Sequence, residues 1–248
     1  MIALTRAVSP RIDKCELTFL QREPIDPTRA AAEHEAYERC LETLGCTIVH
    51  IDPLPDQPDG VFVEDAAIVL DDIAVITRPG ARSRQGETAS VAHALERYRP
   101  LRRIEPPATL DGGDVLRIGQ TLYVGLSRRT NATAIEQLTT LGYPIVPTDF
   151  HGCLHLKSAV TQIAPRTPLV NPDWIDVRQF EDFDIIEIDE DEPFAANALR
   201  IGETIVHAAA HVMTRQILEK HGYSVMSVDI TEMQKAEAGV TCCSLILS

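Results

Sequence analysis

Two hexapeptides, RIGQTL at residues 117–122 and RIGETI at residues 200–205, are nearly identical although they lie far apart in the chain. Each reads as a strand, a tight turn that contains glycine and a second strand, which is the pattern of a β-hairpin. Similar patterns surround turns at residues 71–72 and 165–166. The spacing indicates an internal repeat of roughly 45 residues, and repeats of that length are typical of propellers and solenoids.

Helix signals follow the hairpins in a regular way. We predict amphipathic helices at residues 28–44, 87–98, 131–141 and 213–221. Three of these helices stop at a glycine, and a short strand follows each of them at Gly45, Gly142 and Gly222. Glycine adopts the left-handed conformation that often ends a helix without a steric clash of Cβ. Each repeat is therefore predicted to run strand, strand, helix, strand.

Five such ββαβ modules in a ring form an α/β propeller with pseudo-five-fold symmetry, which we expect to be a single domain over residues 1–248. A doubly wound sheet is the main competitor. The hairpins argue against it, because a parallel sheet places a helical crossover between consecutive strands. The chain has no glycine fingerprint for a dinucleotide or phosphate and no zinc-site spacing. We expect no cofactor and no metal.

The composition restricts the partners. A net charge of -14 disfavours nucleic acid and anionic membranes as partners. It suits a cationic ligand, although solubility alone explains it more simply. We find neither a membrane span nor the apolar region of a signal peptide in the sequence. The 6 cysteines lack the spacing of a disulfide framework, so a cytoplasmic protein with free thiols is expected.

Polar residues recur at one point of the repeat, just before an apolar strand. They are Glu64 and Asp65, then Asp111, His155, Asn197 and Cys242. If rotation relates the modules, these side chains converge on one axis. We therefore expect a site at the centre of the ring.

Cys242 and His155 are the reactive members of this set. Taken singly, each is more often a core residue than a catalyst. Cys242 and Cys243 stand at the head of an apolar strand, so only one of them is expected to face the axis. A thiol and an imidazole that meet across a ring provide a nucleophile and a proton shuttle.

The acids and arginines complete the predicted site. Several carboxylates in one pocket repel each other unless a cation neutralises them, so a positively charged substrate fits this cluster. Asp111-Gly112-Gly113-Asp114 also reads as an ordinary turn. The arginines at 78, 82, 84, 128 and 129 are either carboxylate ligands or soluble surface groups. Residues 13–26 have weak periodicity and form either a surface loop or a mobile cover.

The motifs together resemble the dimethylarginine dimethylaminohydrolase family, a member of the pentein, or guanidine-modifying, superfamily of five-module propellers. They occur in the family's order across nearly the whole chain: VFVED at 61–65, ITRPGA at 76–81, LDGGDV at 110–115, GLS at 125–127, RTN at 129–131, LHLK at 154–157, AAN at 195–197 and TCCS at 241–244.

The resemblance implies a role for each matching residue. Cys242 would be the nucleophile, His155 the general acid and base, and Asp111 the acid that orients the histidine. The implied substrate-binding groups are Asp65 and Glu64 for the guanidinium, Asp59 near the amino-acid end, Arg84 and Arg129 for the α-carboxylate, and the backbone carbonyls of Leu17 and Ala236.

The implied reaction is hydrolysis of Nω-methylated arginine to citrulline and a methylated amine, through a covalent thiouronium on Cys242. The implied partner is thus a small cationic guanidino amino acid, and a homodimer is the assembly left open. Arginine deiminases, in the same superfamily, catalyse the analogous reaction on unmethylated arginine, but they carry an inserted helical domain that we do not see in the sequence. Another guanidino substrate and a non-catalytic binding propeller also remain as alternatives.

Overall fold

The computed structural model describes residues 1–247, which form five sheets of three strands each. In every sheet the first and second strands pair antiparallel, and the second and third pair parallel. The doubly wound alternative is therefore wrong. The strands are β1 Ile2–Thr5, β2 Thr47–His50, β3 Ala67–Val69, β4 Ala74–Ile76, β5 Leu101–Arg103, β6 Val115–Ile118, β7 Thr121–Gly125, β8 Ile145–Thr148, β9 Val160–Ala164, β10 Thr167–Val170, β11 Ile186–Glu187, β12 Ala198–Ile201, β13 Thr204–Ala208, β14 Ser224–Val228 and β15 Leu245–Leu247.

We number the modules by their sheets. Module 1 contains β3 to β5, module 2 β6 to β8, module 3 β9 to β11, and module 4 β12 to β14. Module 5 joins the two ends of the chain: β15 pairs antiparallel with β1, and β1 pairs parallel with β2. The pairing of Ala3 with Ile246 thereby closes the ring. The four predicted hairpins all form, at β3–β4, β6–β7, β9–β10 and β12–β13.

The helices are α1 Pro27–Thr43, α2 Thr88–Leu95, α3 Ala132–Thr139, α4 Leu156–Ala159, α5 Val212–Lys220 and α6 Thr231–Gln234. Short 3-10 helices span Ile12–Lys14, Val63–Ala66, Arg82–Glu87, Gly112–Asp114 and Val177–Phe180. The four predicted helices correspond to α1, α2, α3 and α5. Gly45, Gly142 and Gly222 follow three of them with φ of 86°, 83° and 87°, as the sequence predicts.

The prediction of an α-helix in every module is wrong for module 3. There the 3-10 helix Val177–Phe180 takes the place of the α-helix between β10 and β11. Aromatic side chains fill the space instead: Phe180 is fully buried, and its ring lies 5.0 Å from that of Tyr123. In module 3 a few large aromatic rings cover the sheet, whereas in the other modules the apolar face of an α-helix covers it.

The core consists of five apolar clusters that pack between sheets and outer helices. The first strands of the modules, β3, β6, β9, β12 and β15, lie side by side around the axis. A channel of about 420 Å³ runs between them on one face of the ring. Short helical turns such as Val63–Ala66 and Gly112–Asp114 precede β3 and β6, so the polar residues of the repeat gather at the other end of the channel. Among residues 1–247, none of the helices has the length and hydropathy needed to cross a bilayer.

Candidate active site

A small, partly enclosed pocket lies next to the end of the channel, since Asp65 and Cys242 line the pocket and their neighbours Glu64 and Thr241 line the channel. Its free volume is about 10 Å³, close to that of one water molecule. Most of the predicted site residues line it: Asp59, Asp65, Arg84, Arg129, His155, Ala236 and Cys242. The convergence that the repeat predicts is thus present, because four modules contribute to one cavity.

His155 is buried immediately before the short helix α4. Its Nε2 lies 3.1 Å from Asp111 Oδ2, and its Nδ1 lies 3.7 Å from Asp65 Oδ1. The imidazole packs on Gly113, where an added Cβ would come within 2.6 Å of Nδ1. Burial opposes the imidazolium, but the charge of Asp65 and the hydrogen bond with Asp111 outweigh it and raise the His155 pKa to about 9. The histidine is therefore protonated at neutral pH.

Asp111 holds the imidazole from behind and is itself fully buried. Its Oδ1 accepts the N–H of Gly80 at 2.9 Å, and its own N–H donates to Thr130 Oγ1 at 3.1 Å. The carboxylate is fixed by these contacts, so only Oδ2 faces His155. This is the orienting geometry that the resemblance assigns to Asp111.

Cys242 lies in a turn, and this corrects its placement at the head of a strand, since β15 begins at Leu245. The two cysteines nevertheless differ as predicted: Cys242 is partly exposed in the pocket, and Cys243 is buried in the core. The turn brings the N–H of Gly239 to 3.3 Å from Cys242 Sγ. Burial and the charges of Glu64 and Asp65 raise the Cys242 pKa to about 12, so the free protein holds a neutral thiol.

Asp65 and Arg84 form a buried ion pair in the wall of the pocket. Arg84 Nη1 lies 2.6 Å from Asp65 Oδ2, and Arg84 Nη2 lies 3.0 Å from Glu87 Oε2. Burial alone would raise the Asp65 pKa, but His155 and Arg84 outweigh it and lower that pKa to about 2. Asp65 is thus an anion over the working pH range.

Arg129 differs from Arg84 in having an unused donor. Its Nη1 is buried without a hydrogen-bond partner among residues 1–247 and lies 3.7 Å from Asp111 Oδ2. Its Nη2 donates to Thr18 Oγ1 at 3.3 Å. An unsatisfied guanidinium N–H that borders the pocket can bind an anionic group of a ligand. Arg84, by contrast, also donates to the backbone carbonyls of Asp59 and Phe62.

Glu64 occupies a different place from its neighbour Asp65. Its Oε1 lies 2.7 Å from Lys157 Nζ, and its Oε2 accepts from Thr241 Oγ1 at 2.6 Å. Glu64 and Lys157 line the channel, not the pocket. In this structure Glu64 therefore separates the channel from the pocket, and the direct guanidinium contact implied by the resemblance stays a prediction.

The segment at residues 13–26 covers the pocket. Both carboxylate oxygens of Asp59 accept the N–H of Glu16 at 3.2 Å, and Glu16 lines the pocket. Leu17 is half-buried and packs against the same core cluster as Cys242, whereas Ala236 lines the pocket directly. The part of the prediction that concerns a cover is consistent with this arrangement.

Sequence reasoning gave no role to Asn197, although the repeat marks its position. Its Oδ1 accepts the N–H of Thr241 at 3.1 Å, and its Nδ2 donates to Thr241 Oγ1 and to the Lys157 carbonyl, each at 3.0 Å. Asn197 thus shapes the turn that presents Cys242. Its place in the repeat was the available signal.

Asp65, Asp111 and His155 bring potential metal-ligand atoms within 4.8 Å of one another. Those atoms already have protein partners. Asp65 Oδ1 accepts the Gly113 N–H at 3.0 Å, and Asp65 Oδ2 pairs with Arg84. The protonated imidazole neutralises the remaining negative charge, so the cluster is satisfied as an ion-pair network.

A five-module propeller with a cysteine, a histidine and carboxylates on its axis defines the pentein class of guanidine-modifying proteins. Residues 5–247 match the family model described as N,N dimethylarginine dimethylhydrolase, eukaryotic. The chain belongs to this dimethylarginine dimethylaminohydrolase family.

Individual relatives agree with that assignment. The dimethylarginine dimethylaminohydrolase of Streptomyces coelicolor is 40% identical over 99% of this chain and 96% of its own length. The enzyme of the same name from Pseudomonas aeruginosa is 36% identical, over 89% of each chain. A structure of the Pseudomonas aeruginosa protein complexed with citrulline has a TM-score of 0.93 and 33% identity, and it covers 98% of this chain and 97% of its own. The N-terminal domain of a cyanobacterial arginine dihydrolase, with a TM-score of 0.88 and 19% identity, covers 98% of this chain and 96% of its own and shares the fold.

Proposed function

We propose that this chain, acting as one catalytic domain, hydrolyses asymmetric dimethylarginine and monomethylarginine to citrulline and dimethylamine or methylamine. One observation carries the proposal: Cys242, His155 and Asp65 line a single pocket together with Arg129, whose Nη1 makes no hydrogen bond among the described residues. Membership of the family supports it, as does the excess of negative charge in the chain.

The pocket suggests how the substrate lies. The guanidinium carbon faces Cys242, with Asp65 as the anion beside it. The α-amino group lies towards Asp59 and the backbone carbonyls of Leu17 and Ala236, and the α-carboxylate binds Arg129. Arg84 joins in this last contact if it exchanges a backbone partner, because its present donors are occupied.

The first step forms a covalent intermediate. The Cys242 thiolate attacks the guanidinium carbon, and a tetrahedral adduct results. His155, protonated at neutral pH because its pKa is about 9, gives its proton to the departing nitrogen. The C–N bond breaks, the methylated amine leaves, and a thiouronium remains on the sulfur.

The second step hydrolyses that intermediate. His155, now neutral, removes a proton from water, and the hydroxide oxygen attacks the same carbon. The C–S bond breaks, the hydroxyl proton of this second adduct passes to solvent, citrulline forms, and the sulfur leaves as a thiolate. The Gly239 N–H, at 3.3 Å from Sγ, stabilises that thiolate by a charge-assisted hydrogen bond.

Substrate itself activates the nucleophile. With a pKa of about 12 the thiol is inert in the free protein, because burial disfavours the thiolate and the charges of Glu64 and Asp65 oppose a third negative charge. A bound guanidinium neutralises this field, lowers the Cys242 pKa and sends the thiol proton to solvent. Binding of an unreactive guanidine should therefore increase thiolate absorbance near neutral pH, and an unchanged Cys242 pKa would reject this activation step.

The test of the function compares substrates. Purified protein is incubated separately with asymmetric dimethylarginine, monomethylarginine and arginine, and citrulline is measured. We expect release from both methylated substrates and an activity loss of about 10³-fold or more in Cys242→Ser. Preference for arginine would support the deiminase alternative, and full activity of Cys242→Ser would reject the mechanism.

The same proposal places the protein in the cytoplasm. Its cysteines, among the described residues, are all free thiols, as a reducing compartment requires. A homodimer is the assembly to be tested, and light scattering of the purified protein measures it directly.

A further inference from the structure

Glu237 is an acid to which the proposed chemistry gives no role. Its carboxylate accepts three consecutive backbone N–H groups of the segment 13–26: that of Thr18 at 2.9 Å, and those of Phe19 and Leu20 at 2.5 Å each. It is half-buried and lines the pocket beside Ala236. One side chain therefore ties the middle of the covering segment to the wall of the site.

The backbone of Glu237 is unusual. Among residues 1–247 it is the one non-glycine residue with positive φ, at 60°. It follows α6, where its N–H donates to the Gln234 carbonyl at 3.0 Å and the Ala238 N–H donates to the Met233 carbonyl at 3.3 Å. This is the Schellman ending of a helix, and glycine normally occupies the left-handed position. A glutamate is unfavourable there for the local backbone, so the contacts of its side chain must compensate.

Neighbouring residues hold the rest of the segment. Glu232 Oε2 accepts the Asp26 N–H at 3.0 Å, and Lys235 Nζ donates to the Pro24 carbonyl at 3.1 Å. Helix α6 and the turn after it thus bind the second half of the segment, and Glu237 supplies the contact nearest the pocket.

Two further contacts of the segment compete with substrate. Asp59 accepts the Glu16 N–H, and Arg129 donates to Thr18, but the proposed function assigns both side chains to the amino-acid end of the substrate. Glu237 has no such second duty. Its contacts persist when substrate takes Asp59 and Arg129.

The pocket is also too small for its ligand. A free volume of about 10 Å³ cannot admit an amino acid, so the segment must move for substrate to enter. After substrate has entered, the segment must return to its closed position. The hydrogen bonds from its backbone N–H groups to the Glu237 carboxylate define that position.

We infer that Glu237 is a positioning residue, a latch that closes residues 13–26 over the amino-acid end of the bound substrate. The kinetic consequence rests on the proposed function, whereas the closure itself does not. Glu237 precedes Gly239, whose N–H reaches Cys242 Sγ, so one turn sets both the cover and the nucleophile.

The experiment compares Glu237→Ala with Glu237→Gly. Both remove the carboxylate, but glycine also relieves the left-handed backbone, so Glu237→Gly should be more heat-stable than Glu237→Ala. In both variants we expect hydrogen exchange at residues 18–20 and trypsin cleavage after Lys14 to rise about tenfold or more. We expect KM for a methylated arginine to rise about 10- to 100-fold with a smaller change in kcat, as for loss of charge-assisted hydrogen bonds to a closing segment.

A matched control is Glu192→Ala. Glu192 also accepts two consecutive backbone N–H groups, those of Met213 and Thr214 at 2.8 Å each, at the start of α5. Its loss should leave exchange at 18–20 and KM unchanged. Glu237→Gln retains one acceptor oxygen, so its increases in hydrogen exchange and in KM should be smaller than those of Glu237→Ala.

The two proposals fail separately. Unchanged exchange and cleavage at the segment in Glu237→Gly overturn the latch, whatever the activity. Loss of kcat with wild-type exchange overturns it too, because the residue then acts by another route. A wild-type protein that releases no citrulline rejects the proposed function, while exchange still tests the latch.

Discussion

Modules 2 and 4 contain nearly the same hairpin but contribute differently to the site. Their registers agree, with Ile118 opposite Thr121 and Ile201 opposite Thr204. Even the turn contacts match: Arg117 Nε donates to the Gly119 carbonyl at 2.7 Å, and Arg200 Nε donates to the Gly202 carbonyl at 2.8 Å. The hairpin sequence thus fixes the shape of a module and says nothing of its chemistry.

The difference lies where the chain enters the first strand. Module 2 enters through Asp111 and Asp114, whose buried carboxylates face the imidazole and backbone of the His155 region. Module 4 enters through Asn197, a neutral amide that holds the Cys242 turn. The carboxylates before the first strand of module 2 therefore help to set the charge and orientation of His155. The amide before the first strand of module 4 positions Cys242 through hydrogen bonds to its turn.

The largest expected effect comes from neutralising the entrance of module 2. Asp111→Asn keeps the size of the side chain but removes the anion that orients His155 at 3.1 Å. We expect kcat to fall about 10²- to 10⁴-fold with little change in KM, because the imidazole loses its fixed orientation. Steady-state citrulline release measures it.

A control for this substitution lies on the module 4 hairpin. Glu203 is 97% exposed, so Glu203→Gln removes a carboxylate far from the site and should leave kcat unchanged. If Asp111→Asn retains more than about a tenth of the wild-type kcat, Asp111 does not orient the base.

The second prediction concerns pH and has a definite sign. Burial opposes the imidazolium, but the acids raise the His155 pKa from 6.5 to about 9, so folding favours the protonated form. The resulting stability is fully present below pH 6.5 and is lost as pH rises through 9. The shift corresponds to about 3 kcal/mol. Urea unfolding of wild type and His155→Asn between pH 6 and 10 should show the gap between them shrink by that order.

The histidine next to module 4 should behave in the opposite way. Burial and the charge of His207 lower the His211 pKa to about 4, so its contribution is present above pH 6.5 and is lost as pH falls through 4. His211→Gln should therefore alter the acid limb alone. An alkaline effect in both variants would mean that Asp65 and the acids of module 2 do not set the charge of His155.

Much of this could be predicted from the sequence. The hairpins and the helix-ending glycines are local features, and local conformational preference decides them. The repeat then predicted that Asp111, His155 and Cys242 lie near one axis, because equivalent positions of modules related by rotation lie at equivalent places around that axis. The helix predicted for module 3 was wrong because the burial of Phe180 depends on Tyr123, a contact that no local pattern encodes.

The partners of individual side chains could not be predicted from the sequence either, because they depend on contacts that no local pattern encodes. Glu64 and Asp65 are adjacent, yet the backbone turn at Val63–Ala66 sends one to Lys157 and the other to Arg84. Arg84 and Arg129 were equivalent candidates in the sequence, but only Arg84 forms ion pairs with Glu87 and Asp65. Glu237 carried no signal at all, since its contacts reach 217 to 219 positions along the chain.

The third prediction removes the entrance of module 4. Asn197→Ala leaves the buried Thr241 N–H without its acceptor at 3.1 Å, which should lower the free energy of unfolding by about 1–3 kcal/mol. We also expect kcat to fall about tenfold, because a nucleophile misplaced by a fraction of an ångström loses its alignment. Alkylation rates of Cys242 and citrulline release measure the second effect.

Asn171 provides the comparison for that loss. It is buried in module 3, where it accepts the Asp173 N–H at 2.9 Å and donates to the Pro193 carbonyl at 2.8 Å. Asn171→Ala should lower the free energy of unfolding by a similar amount but leave kcat unchanged. Equal loss of kcat in both variants would show that Asn197 contributes only to the fold.

The smallest predicted effect tests the identity of the two hairpins. Gly119 and Gly202 both have φ of 60°, and a Cβ added at either would meet nothing within 4 Å. Gly119→Ala and Gly202→Ala should therefore each destabilise by about 1 kcal/mol, from the left-handed backbone alone, and the double variant by about 2 kcal/mol. Urea unfolding at one pH measures all three, and kcat should not change. Unequal losses, or a kinetic effect of only one substitution, would mean that the hairpins of modules 2 and 4 also differ in function, and that the chemistry is not confined to their entrances.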